Sequence, residues 1–158
     1  MAWQIAFDAV LVGLCLVVVV MDLRHGIIPD WTNAALALLG LIAAYLSGRD
    51  VLIARCLDAV LIGAFLLLLR YAHRRWRGRT GLGLGDVKFL TAGTLLTGLG
   101  GIQIAILVAC VSAFALIGLM RLKGTTVTAT SRLRFGPHLA LGLMIAVFFF
   151  PDQPEMFG

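Results

Sequence analysis

Charged side chains are scarce, at 13% of 158 residues, and bases outnumber acids by 13 to 8. A soluble globule needs more polar surface than that. With 61% hydrophobic residues, the chain is expected to lie mostly in lipid. Cysteine is sparse as well. Cys15, Cys56 and Cys110 each fall inside an apolar run, none paired at metal-ligand spacing, so they read as small buried hydrophobes. His25, His73 and His138 are dispersed without ligand spacing, and neither a metal nor a cofactor is expected. The formal charge of +5 hints at nucleic acid until the bases are placed. They sit in loops between apolar runs, where they orient a membrane protein, and no nucleic-acid partner is expected.

What is present is a series of apolar runs. Residues 3–21 are long enough to approach a hydrocarbon core of about 30 Å and lack a small-residue cleavage site behind them, so they read as a spanning helix and not a removable signal. Gly26 is suited to the left-handed turn that ends a helix, and Pro29-Asp30 to the start of the next. Further spans are expected at 31–46, 51–71, a short one at 87–99, 102–120 and from Gly136 to about residue 150, with Gly100-Gly101 as a turn and polar loops at 73–85 and 121–134. Arg55 and Asp58, three apart and sharing a helix face, read as structural pairing with Asp8 near one interface. The expectation is an all-α, polytopic membrane protein of about six transmembrane helices, folded as a single integral-membrane domain over 1–158.

With the loops after spans one, three and five on one side, that side holds all bases except Arg49 and Arg55. The positive-inside rule makes it cytoplasmic and leaves the N-terminus outside. Asp22, closing the first span, and Asp86, opening the fourth, then share the cytoplasmic membrane boundary.

Asp86 stands in Gly81-Leu82-Gly83-Leu84-Gly85-Asp86-Val87-Lys88, a glycine-dense approach to one acid and one base. Acids at the lip of a membrane segment are costly to desolvate and usually line a site, a pathway or a pairing. Two carboxyls brought close in a partly desolvated site hold a single proton between them. The ionised member can deprotonate water while the protonated member polarises a carbonyl, which is aspartyl peptide-bond hydrolysis. Gly83 and Gly85 remove side chains beside Asp86, so an extended substrate backbone has room to pair with the loop. Lys88 would tune Asp86 or contact lipid headgroups. Blander roles stand beside these: an acid after glycines is often a helix N-cap, and one at the end of a span an interfacial residue.

Asp22-Leu23-Arg24 with Ile28-Pro29-Asp30, then Gly83-Leu84-Gly85-Asp86-Val87-Lys88, then Phe135-Gly136-Pro137 with Leu139-Ala140-Leu141-Gly142 resemble, in order, the motifs of the prepilin peptidases, or type IV leader peptidases. These are the bacterial GxGD aspartyl membrane proteases. The resemblance implies catalytic Asp22 and Asp86, a site shaped by Gly83, Gly85, Lys88, Pro29, Gly136 and Pro137, and location in the bacterial inner membrane. It implies a prepilin or pseudopilin substrate, cut on the cytoplasmic side after a glycine, with lipid and the pilus or type II secretion machinery as partners. Larger members carry a Cys-x-x-Cys zinc insertion and methylate the new N-terminus. Nothing of that kind stands in this sequence, which resembles the compact peptidase-only form of tight-adherence (Flp) pilus systems, so methyltransferase activity is not expected. Arg134 replaces a proline common in the family. The competing classes are a small proton-relay transporter or channel and a non-catalytic assembly subunit, and against the relay, no charged residue marks the bilayer middle. An acid early in the mature pilin is expected to meet Arg74, Arg75 or Arg79. Neutralising all three is then expected to slow cleavage in vitro, and an unchanged rate removes that contact.

Overall fold

The apolar runs form five α-helices in this computed structural model, which describes residues 2–77, 81–123 and 134–150. They are α1 (Ala2–His25), α2 (Asp30–Ser47), α3 (Arg49–Arg77), α4 (Leu84–Leu122) and α5 (Gly136–Phe149). Gly26 ends α1 as expected: at φ 68° its N–H returns to the carbonyl of Asp22 at 2.9 Å. Pro29 stands just before α2 in extended backbone, its carbonyl accepting the Thr32 hydroxyl at 2.7 Å.

The all-α expectation holds, but six separate spans do not. Among the described residues, three helices are long and apolar enough to cross a membrane: Trp3–His25, Arg49–Arg77 and Leu84–Leu122. Asp30, Thr32 and Asn33 dilute the first turn of α2. At 14 residues α5 reaches only about 21 Å, short of a hydrocarbon core of about 30 Å. The predicted fourth and fifth spans are joined as α4, with no loop at Gly100-Gly101.

α4 is nevertheless not straight. Its helical backbone is interrupted at Gly98, where φ is 67° and ψ −172°. On a continuous helix, residues 93 and 102 would be separated by about 13.5 Å along the axis. Here the Ile102 side chain lies 3.2 Å from where a β-carbon on Gly93 would stand, so the chain doubles back at the break. Two groups of α3 meet it there. Asp58 accepts the Leu99 N–H at 3.1 Å, and the buried Arg55 guanidinium fills the space beside Gly98. Thr94 and Thr97 turn their hydroxyls back to the carbonyls of Leu90 and Gly93 just before the break, a bond that tends to bend helices.

The two limbs of α4 form the centre. α2, α3 and α5 all pack on it, while α1 packs on α2 and α5. The core between them includes Leu11, Leu36, Phe89, Ile102 and Leu143. Small residues let backbones approach closely, as membrane bundles require: a β-carbon on Gly142 would lie 2.1 Å from the Ala105 carbonyl oxygen. α3 also runs past its predicted end. The segment from His73 to Arg77, expected as loop, continues the helix, because arginine is a good helix former and cations suit a helix C-terminus. At 29 residues α3 is about 44 Å long, so its basic end projects beyond a hydrocarbon core of about 30 Å.

Gly98→Ala is expected to lower stability by at least about 1–2 kcal/mol, the cost of a left-handed non-glycine residue, with displacement of Arg55 added. Gly118→Ala, which meets nothing within 4 Å, is the control. Thermal unfolding of both in one detergent checks the difference.

Candidate active site

Asp22 lies in the last turn of α1, 6% exposed. Its Oδ2 accepts the N–H of Gly136, the first residue of α5, at 2.9 Å across 114 positions of sequence. A carboxylate there meets the unpaired donors and positive partial charge of a helix N-terminus. The approach leaves no room for a side chain: a β-carbon on Gly136 would stand 2.8 Å from Asp22 Cβ, Cγ and Oδ2. Pro137, in the first turn of α5, lacks only an N–H that the helix does not use there. One further bond ties α1 to α5, the Arg134 guanidinium donating to the Leu23 carbonyl.

Asp86 is half-buried in the first turn of α4. Its Oδ2 accepts the N–H of Gly83 at 3.3 Å: Gly83 is the N-cap, and Asp86 reaches back to it from three residues inside the helix instead of standing at the N-cap itself. A β-carbon on Gly83 would be 2.9 Å from that oxygen, and one on Gly85 would be 3.2 Å from Ile28 Cβ. A side chain at either position would therefore meet the chain's own groups. Gly85 in turn lets the link between α1 and α2 rest on the start of α4.

α1 and α4, which carry the two acids, do not pack on each other, and only electrostatic reach links the pair. Asp22 and Asp86 lie close enough to interact electrostatically. Among the described hydrogen bonds, each carboxyl has Oδ2 engaged by a backbone N–H, one from α5 and one from the loop before α4. Such a pair, one member buried and one half-buried, can divide acid and base roles over one proton. Pro29 is held near it through its neighbour Ile28. Lys88 is not paired with Asp86: it forms an ion pair with Asp30 at 2.7 Å, with side chains 49% and 76% exposed. An exposed pair of this kind is worth at most about 1 kcal/mol and serves to join α2 to α4.

Sequence reasoning missed two contacts on the glycine loop. Arg70 of α3 donates to the Leu82 carbonyl, and the His73 ring lies against Gly81. Their only local signal is a spacing of three on one helix, directly after the apolar run 66–69. Arg79 and Arg132, counted among the cytoplasmic bases, lie outside the described residues, as does most of the segment 121–134.

A model of the type IV leader peptidase family matches residues 9–119. A prepilin leader peptidase/N-methyltransferase of Xanthomonas campestris pv. campestris is 28% identical over 155 residues, 95% of this chain and 52% of that protein. A protein of the same name from Pseudomonas aeruginosa is 30% identical over 152 residues, 92% of this chain and 50% of the relative. The leader peptidase HopD of Escherichia coli is 32% identical over 71 residues, 45% of this chain and 46% of that protein. The chain thus spans about half the length of the curated relatives it matches. No solved structure matches it.

Gly136→Ala is expected to push Asp22 off its bond to α5 and lower the melting temperature, the clash being with a buried group in a packed core. Gly13→Ala, whose new methyl meets nothing within 4 Å, is expected to be neutral or slightly stabilising through helix propensity. Melting curves of the two variants side by side provide the check.

Proposed function

This chain belongs to the type IV leader peptidase family, and from that membership and the electrostatic reach between Asp22 and Asp86 we propose that it is a membrane-embedded aspartyl endopeptidase acting on type IV prepilins or pseudopilins. The observation that carries the reading is the placement of two acids, from the end of α1 and the start of α4, with Oδ2 of each tied to backbone. Oδ1 of each is then the atom left to work on water and the scissile carbonyl. The ionised acid takes a proton from water, the protonated acid gives one to the carbonyl oxygen, and the hydroxide adds to the carbon. Collapse of that tetrahedral species, with protonation of the departing nitrogen, releases leader and mature chain.

The exposed bases at the end of α3 favour a cytoplasmic site in the bacterial inner membrane, with the start of α1 on the periplasmic side. The substrate carries a short basic leader, cut before a hydrophobic helix that lies in the same membrane. Gly83, Gly85, Gly136 and Pro137 act by shaping the two acid-bearing ends, and Lys88 with Pro29 by docking α2 beside them. Peptide cleavage is the one activity proposed.

Asp22→Asn and Asp86→Asn are each expected to reduce cleavage of a candidate prepilin by about 10²–10⁴-fold, the range for loss of a general acid or base, while the protein stays folded and inserted. Purified chain, substrate and sequencing of the new N-terminus measure this. Cleavage at the parental rate by either variant ends the two-acid reading.

A further inference from the structure

Arg70 and His73 stand three apart near the end of α3, so they share a face. Both address the three residues before α4. The Arg70 Nη1 donates to the carbonyl oxygen of Leu82, and His73 Nε2 lies 2.8 Å from where a β-carbon on Gly81 would be. The Leu82 carbonyl and the Gly83 N–H are the two ends of one peptide unit, and that unit is planar. The same Gly83 N–H reaches Asp86 Oδ2 at 3.3 Å. A guanidinium on one side of α3 is thus linked to a carboxyl on α4 through a single rigid plane.

Two physical effects follow. Fixing the oxygen end of a planar unit fixes where its N–H points. Drawing density toward that oxygen also makes the N–H a better donor, as in other hydrogen-bond chains. Both effects matter here, because 3.3 Å is at the long edge for an N–H···O bond and Gly83 itself is exposed. The flanking glycines themselves do little to restrain that peptide from turning; the packed Leu82 side chain and the Arg70 bond do. The other bases at the end of α3 differ from Arg70: Arg74, Arg75 and Arg77 are exposed, whereas Arg70 is half-buried against the loop.

We propose that Arg70 is a positioning residue for Asp86: through the Leu82–Gly83 peptide it sets the direction of the Asp86 carboxyl without touching the substrate. The proposal rests on the reading of Asp86 as one of the two working acids. Its consequence for catalysis is a dependence of turnover, and not of substrate binding, on a base that orientation rules alone would assign to the membrane surface.

The test uses the full chain in detergent, labelled with [¹⁵N]glycine, in the parent and in Arg70→Gln, Arg70→Lys and Arg77→Gln. Amide exchange at Gly83, its resonance assigned by Gly83→Ala, is read alongside cleavage of a prepilin. Loss of a hydrogen bond to a charged donor is expected to speed Gly83 exchange and lower kcat by about tenfold in Arg70→Gln, with KM unchanged. Arg70→Lys, which keeps a donor, is expected to fall between, and Arg77→Gln to match the parent. Parental exchange and kcat in Arg70→Gln overturn the proposal, and if that variant does not fold, the same result in Arg70→Lys does so. A raised KM with parental kcat also overturns it, since Arg70 would then meet substrate. Faster Gly83 exchange in a chain whose parent cleaves no prepilin removes the peptidase reading and leaves the coupling of Arg70 to Gly83 standing.

Discussion

Gly98 takes φ 67° because it has no side chain, and the Arg55 guanidinium fills the space a side chain would need. That reversal is the constraint on which the remaining packing depends. It turns one apolar stretch into two limbs lying side by side, and α5 rests against both, with Leu143 beside Gly93 on the first and Gly142 on Ala105 of the second. Arg55 and Asp58 are costly charges to place in a membrane protein, and the bend gives them work: a broken helix exposes backbone donors and acceptors that lipid cannot satisfy. Asp58 takes one of them, the N–H of Leu99.

At the other end of the first limb, the start of α4 rests on the link after α1, Gly85 against Ile28, and α5 begins beside the end of α1, so three helix termini lie in one region. Two of those termini are N-terminal, and each is capped by a carboxyl, α5 by Asp22 and α4 by Asp86. The positive partial charge of both helix starts is thereby directed onto Asp22 and Asp86.

Much of this was legible in sequence because polar residues are rare and each interruption of an apolar run stands out. Asp22, Asp86, Gly26 and the ordered glycine motifs were found that way; α5 starts at Gly136 as expected, while α1 runs four residues past 21 and α4 starts three before 87. Hydropathy cannot tell whether a glycine group separates two helices or bends one. Gly100-Gly101 was therefore read as the turn, while the reversal sits at Gly98. Residues 73–77 were read as loop because they are charged, although arginine is at home in a helix. Arg55 and Asp58 were placed on the correct face with the wrong emphasis, since what they face is the bend. Contacts from side chain to distant backbone leave little in sequence: Arg70 to Leu82 only the spacing of Arg70 and His73, and Arg134 to Leu23 no local pattern.

The bond between Asp22 and Gly136 also sets an order of events. A ribosome makes α1 first, and for the next hundred and more residues the acid at its end has no partner from α5. Helices enter the bilayer one after another. The pair of acids therefore cannot take its final form while the chain is still emerging, and the site stays incomplete until the last described helix has arrived.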